Sequence, residues 1–235
     1  QAAIDALRER LGPDTTLAMD GFGGTLRYLR GDLRPLVAGA ASYRAAEAAA
    51  DYGAMAREVV RALEEVMAVR SAEERFEPRR VQDDELGMVH VTLQQTWRGL
   101  PVWGGMVKVH FGADGNPLEV SGVYAPVPEP ARIPQTVIPE SEAVARAKEA
   151  LGMTGDGLLP IRVTRTLYWS LDCPVEDCLR VELTPAFDEE WQVFVASEDG
   201  RIVRRYNNVK TGAATGTAAD LAGRQTQVHA WEDGG

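Results

Sequence analysis

Three histidines, two cysteines and two acidic clusters are the groups in this chain whose chemistry could be put to use. His90 and His110 fall in strand-like text and His229 in a tail. The first two could lie on neighbouring strands and share a metal, but with no third ligand nearby ordinary strand histidines explain them. Cys173 and Cys178 sit between strand-like runs, as a local disulfide clipping a hairpin would, or as two free thiols; two thiols without a histidine fall short of a zinc site. Asp83-Asp84-Glu85 and Asp188-Glu189-Glu190 stand at strand entrances, where carboxylates cap turns and keep edges soluble. No His-Glu-x-x-His, Gly-x-Ser-x-Gly, phosphate loop or dinucleotide fingerprint occurs, so no catalytic, cofactor-binding or metal-ligating residue is expected here.

The 235 residues carry 35 acidic against 25 basic side chains, a net charge of -10. That balance argues against nucleic acid or an anionic membrane surface as partner. With 45% hydrophobic residues and no apolar run near the ~20 residues of a membrane helix, the composition is that of a globular protein. Gln1 opens without a signal-peptide pattern, so any targeting segment is expected to have been removed or never to have been there.

The positioning elements follow from periodicity. Residues 2–11 read as a short helix stopped at Gly12-Pro13, and residues 15–30 as a hairpin turning at Gly21-Phe22-Gly23-Gly24. Residues 42–67 carry Ala56, Val59, Val60, Leu63, Val66 and Met67 at helical spacing; Gly53 is the candidate break and Asp51 the candidate cap of the second part. Strands are expected at 88–97, 102–111 and 118–124, the last turn being Asp114-Gly115. Five prolines between Tyr124 and Pro139 mark a linker. A helix over 140–151, closed by Gly152, then precedes strands at 162–171, 179–184, 191–196 and 201–208. The expected fold class is α+β, two tandem modules that each pack a helix on an antiparallel sheet. The domains are 1–125, a Pro-rich linker 126–138, 139–209, and a flexible junction 210–235 whose small-residue text suits an exposed linker open to proteolysis.

The most specific stretch is Gln94-Gln95-Thr96-Trp97-Arg98-Gly99-Leu100-Pro101-Val102-Trp103-Gly104-Gly105. On chemistry alone it reads as a structural corner, with a ligand-binding loop as the alternative: a turn at Arg98-Gly99, then Gly104-Gly105, a pair that suggests a bulge or a close backbone approach. Four strand tryptophans, Trp97, Trp103, Trp169 and Trp191, divide between core and an interface.

With Arg75-Phe76, residues 81–87 and residues 90–97 before it, this text resembles the prosegment module of fungalysin- and thermolysin-like zinc peptidases. Gln95, Trp97, Gly99, Pro101, Trp103, Gly104 and Gly105 are its signature. The second half resembles the PepSY module of such precursors, through the helix after Pro139, residues 190–195 and residues 199–203, with Pro139 in place of a capping Ser and Ala196-Ser197-Glu198 in place of a more usual turn. The fold implied for both modules is cystatin-like. Residues 211–235 are similar to the junction before a mature peptidase, which itself is not in this text.

That resemblance implies a secreted zymogen's prosegment: an inhibitor and folding chaperone of a cognate metallopeptidase catalytic domain, removed by cleavage near the junction. Zinc, with calcium a further candidate, is expected in that domain and no cofactor in this chain. The processing junction is expected around Asn207, Asn208, Thr211, Gly212, Thr215, Gly216 and Asp220. The alternative is a free-standing secreted module that binds a peptide or protein.

Overall fold

A computed structural model describes residues 2–19, 25–67, 69, 74–127, 133–134, 136–170, 173–186, 189–209, 213–219 and 225–231. The elements are α1 (Ala2–Leu11), β1 (Thr16–Met19), β2 (Leu26–Arg30), α2 (Arg34–Val37), α3 (Ala41–Ala48), α4 (Tyr52–Arg61), α5 (Glu64–Met67), β3 (Glu74–Asp83), β4 (Val89–Trp97), β5 (Leu100–Phe111) and β6 (Pro117–Val123). After these come α6 (Glu140–Leu151), β7 (Arg162–Ser170), β8 (Cys173–Leu183), β9 (Trp191–Ala196), β10 (Ile202–Asn207), β11 (Ala213–Ala219) and β12 (Gln225–Trp231). Helices combine with an open, mixed sheet, an α+β arrangement. The chain divides into two compact units: Gln1–Arg132 with Thr166–Glu176, and Ile133–Arg165 with Asp177–Gly235.

In the first unit the strands run in the order β1-β2-β6-β5-β4-β3, every neighbouring pair antiparallel. Val102 of β5 also pairs in parallel with Leu167. Alternation sends Val91 and Leu93 of β4 and Val107 and Val109 of β5 into one core with Met55, Ala56, Val59 and Val60 of α4, and leaves His90, Thr92, Lys108 and His110 on the opposite face. Fully burying side chains of this size stabilises by about 1.5–3 kcal/mol each.

The long helix expected over 42–67 is three helices. α3 ends at Ala49 in a Schellman-type turn: Asp51 N–H donates to Ala46 O at 2.9 Å and Ala50 N–H to Glu47 O at 3.0 Å, with Ala50 at φ +52°. Asp51 then caps α4, its Oδ1 accepting from Ala54 N–H at 2.9 Å. The break therefore lies ahead of Gly53, which is buried inside α4 with Pro78 packed against it.

In the second unit Ala143 and Ala147 of α6 face Leu179, Val181 and Leu183 of β8 and Val193 and Val195 of β9. Two alanines a helical turn apart let the helix axis approach the sheet closely. Pro139 holds the N-cap position at φ -60° and ψ 146° with no side-chain hydrogen bond, Glu140 and Glu142 sit in the first turn, and Gly152 closes the helix at φ +67°. Antiparallel pairing joins β8 to β9 and β9 to β10.

The tail contains two strands. Residues 211–235, read as flexible linker, contain an antiparallel pair in which Ala213 faces Trp231 and Ala219 faces Gln225. The period-2 text is weak in β11, where Thr215 and Thr217 recur two apart among Ala and Gly, and clearer in β12, where Gln225, Gln227 and His229 alternate with Thr226, Val228 and Ala230. The hairpin turn expected at Gly21 to Gly24, the prolines at 128 and 130, and Asp188 lie outside the described residues.

Candidate functional site

Arg98 and Gly99 form the two-residue loop between β4 and β5 with φ +48° and +78°. Both central residues in the left-handed region is the type I′ requirement, whose twist matches that of the flanking strands. Gly99 meets it freely, whereas Arg98 adopts it with its guanidinium carbon 4.5 Å from the Trp97 ring centroid, in cation–π contact.

Beyond the turn the register of β4 against β5 slips between Gln94 and Thr96, and two amides bind the backbone that the slip exposes. Gln94 Nε2 lies 3.0, 2.8 and 2.9 Å from the carbonyls of Gln95, Val102 and Gly105. Gln95, fully buried, donates from Nε2 to Ala125 O at 2.7 Å and accepts at Oε1 from Ala125 N–H at 3.0 Å. This two-point clasp ties the chain leaving β6 to the centre of the sheet. It also explains the glycines: Gly104 sits at φ +80°, and a Cβ on Gly105 would overlap Gln95 Oε1 and stand 3.0 Å from its Cβ.

The rest of the signature is architectural. Trp97 is buried at 1% exposure and Trp103 is half-buried, so the first is core and the second reaches the surface. Pro101 pairs with Thr96 in the ladder and its carbonyl accepts from Thr166 Oγ1 at 2.8 Å. Glu74 and Tyr124, unnoticed in the sequence, close the same end of the unit through a buried 2.8 Å hydrogen bond from the Tyr124 hydroxyl to Glu74 Oε2.

His90 and His110 are direct cross-strand partners, as their placement on neighbouring strands predicts. Their Nδ1 atoms lie 2.7 Å apart and their ring centroids 4.8 Å apart. His90 Nε2 is 3.0 Å from Asp84 Oδ2, and His110 Nε2 is 3.4 Å from Ser121 Oγ and 3.8 Å from Glu119 Oε1. Tyr28 donates from its hydroxyl to Glu119 Oε2 at 3.2 Å, and Arg30 stands 3.7 Å from the same oxygen. Burial pushes the His110 imidazole below its ordinary value; Glu119 opposes that shift, while His90 and Lys108 add to it. Asp84 is held below the usual carboxylate range by the Met88 N–H, then by His90 and the Leu86 N–H. Asp84 thus serves the β3–β4 turn and the histidine pair at once. Among the described residues no group of three or more His, Cys, Asp or Glu side chains could hold a metal.

The expected processing residues separate. Asn207 Oδ1 accepts from the N–H groups of Glu190 and Val209, both at 3.0 Å, and Asn208 N–H donates to Glu190 O at 2.7 Å. These two finish β10. Thr215 and Gly216 fall in the middle of β11, opposite His229 and Val228, while Thr211, Gly212 and Asp220 lie outside the described residues. Cys173 and Cys178 both belong to β8, which begins ahead of the strand expected from 179. Cys178 is buried, and the Cys173 side chain, with any pairing it makes, lies outside the described residues. Nearby, Asp177 is buried and Arg165 grips it at 2.6 Å from Nη2 and 3.0 Å from Nε, a bidentate pair the sequence did not advertise.

Residues 74–124, which take in β3 to β6 and both glutamines of the clasp, match the family model described as Fungalysin/Thermolysin Propeptide Motif. Two curated proteins are similar over a longer stretch: bacillolysin of Bacillus subtilis (strain 168) and bacillolysin of Bacillus subtilis subsp. amylosacchariticus. Each is 25% identical over 163 residues, 65% of this chain and 31% of the relative. The chain spans about a third of the length of these relatives. Motif and similarity together support a thermolysin-like propeptide.

Proposed function

We propose that this chain is the prosegment of a secreted thermolysin-like zinc metalloendopeptidase, which it inhibits and helps to fold. The observation that carries the reading is the propeptide-motif match over residues 74–124, the stretch that holds β3 to β6 and both glutamines of the clasp. In this reading the two units are successive propeptide and PepSY-like modules of cystatin-like build. Zinc, and calcium if present, belong to the peptidase domain.

The physical basis is mass action. A segment that binds the native or near-native peptidase and not its unfolded chain stabilises the former, and a covalent tether raises its effective concentration to the millimolar range for a short flexible linker. The scissile bond lies in residues 207–220. Thr215 and Gly216 are extended there, the backbone form that adds to a sheet edge, and small side chains leave such a strand free to enter a cleft.

The reading frame beyond Gly235 tests this directly. Continuation into a domain carrying His-Glu-x-x-His is the expected result. A stop codon in the natural gene would overturn the proposal in favour of a free-standing binding module.

A further inference from the structure

We propose that His90 and His110 form a proton-sharing pair that makes the first unit's sheet acid-labile. The inference rests on residues of that sheet and the turn beside it, and holds whether or not the chain binds a peptidase.

One assignment of protons satisfies every contact. Ionised Asp84 accepts at Oδ2 from His90 Nε2–H, which leaves His90 Nδ1 as an acceptor. His110 must then carry its proton on Nδ1 and donate it across the 2.7 Å gap, which leaves His110 Nε2 bare to accept from Ser121 Oγ–H. The chain Ser121 to His110 to His90 to Asp84 therefore runs in one direction and is complete only when both imidazoles are neutral.

A first added proton goes to His110 Nε2, because the Ser121 hydroxyl can rotate to accept from it, whereas a proton on His90 Nδ1 would meet the N–H that His110 donates there. Glu119 Oε1 faces that atom at 3.8 Å, so the new charge has a counterion and the Nδ1 to Nδ1 bond survives. A second proton has only His90 Nδ1 left. It would set two N–H donors head to head and two positive rings on adjacent strands, and the cross-strand bond breaks. The other charged groups on this face do not alter the order: Lys108 disfavours any added charge, Arg30 draws on Glu119, and Gln82, opposite His90 on β3, is neutral.

A metal is the competing occupant, and the geometry disfavours it. A shared ion must lie about 2.0–2.1 Å from both nitrogens with their lone pairs converging on it. Nitrogens 2.7 Å apart on rings whose centroids are 4.8 Å apart point at each other instead. No third ligand completes such a site among the described residues.

The direction of the pH effect follows from His110. Its folded-state value is lowered from the ordinary 6.5, so the neutral pair's contribution is complete above that pH and is lost as pH falls through the folded value. The test is an imidazole nitrogen NMR titration of the full chain from pH 8 to 4, with denaturant unfolding curves at the same pH values for wild type and His110→Asn. Each transition is expected to be reported by both rings at once, as a shared proton requires. The unfolding midpoint should drop across the same window in wild type, and flatten in His110→Asn, whose amide reaches the Nδ1 position but does not take up a proton. Independent single-step titrations of the two rings, or an equal drop in the variant, would overturn the proposal. Should the variant fail to fold, the wild-type titration decides alone.

Discussion

Gln95 and Gly105 exist for each other. The buried amide of Gln95 fills the space a Gly105 side chain would take and in return satisfies both backbone groups of Ala125. Gly105→Ala should therefore cost about 1–3 kcal/mol through overpacking. Gln95→Ala should cost a similar or larger amount, because two buried backbone groups lose partners at about 1–3 kcal/mol each. The double variant should be less destabilised than the sum, since truncating Gln95 removes the clash; denaturant melts of the four proteins measure the coupling. A strictly additive result would mean that the two residues act separately. The sequence suggested a close approach at Gly104-Gly105 and not what approaches: the obstacle is a side chain ten positions away on the neighbouring strand, which only the register brings close.

At the scale of elements, the break between α3 and α4 carries its own prediction. Ala50 occupies the left-handed position of a Schellman turn at φ +52°, which an L-residue with a Cβ adopts at a cost of roughly 1–2 kcal/mol. Ala50→Gly should raise stability, by up to about 1 kcal/mol after glycine's greater unfolded-state freedom is offset. Asp51→Ala should lower it by about 1 kcal/mol by removing the cap on Ala54 N–H. Thermal melts of both variants check the pair of signs. Asp51 was legible because a capping residue and an apolar stripe stand together in the text. The helix end was not, because Ala stands where glycine usually marks a Schellman turn, and Gly53 nearby drew the break toward itself. Strand positions fared better: Val89–Trp97 alternates cleanly, and Asp114-Gly115 marks the turn between β5 and β6 with Gly115 at φ +77°. Small residues hid β11 and β12, since alanine and threonine say little about burial.

For the whole molecule, the parts that read most clearly are those that define a class, and the part expected to act is the part with the plainest text. The histidine pair shows the same limit. Its two strands were legible, but Asp84 and Glu119, which complete it, approach from a turn and from β6 only through the fold. The proposed recognition of a peptidase domain is tested most directly by adding the purified chain to the mature form of any peptidase domain that its reading frame continues into, and to that domain refolding from denaturant, at micromolar concentration. Inhibition of the mature enzyme and a raised yield of active enzyme on refolding are predicted. Full activity and an unchanged refolding yield would contradict the claim.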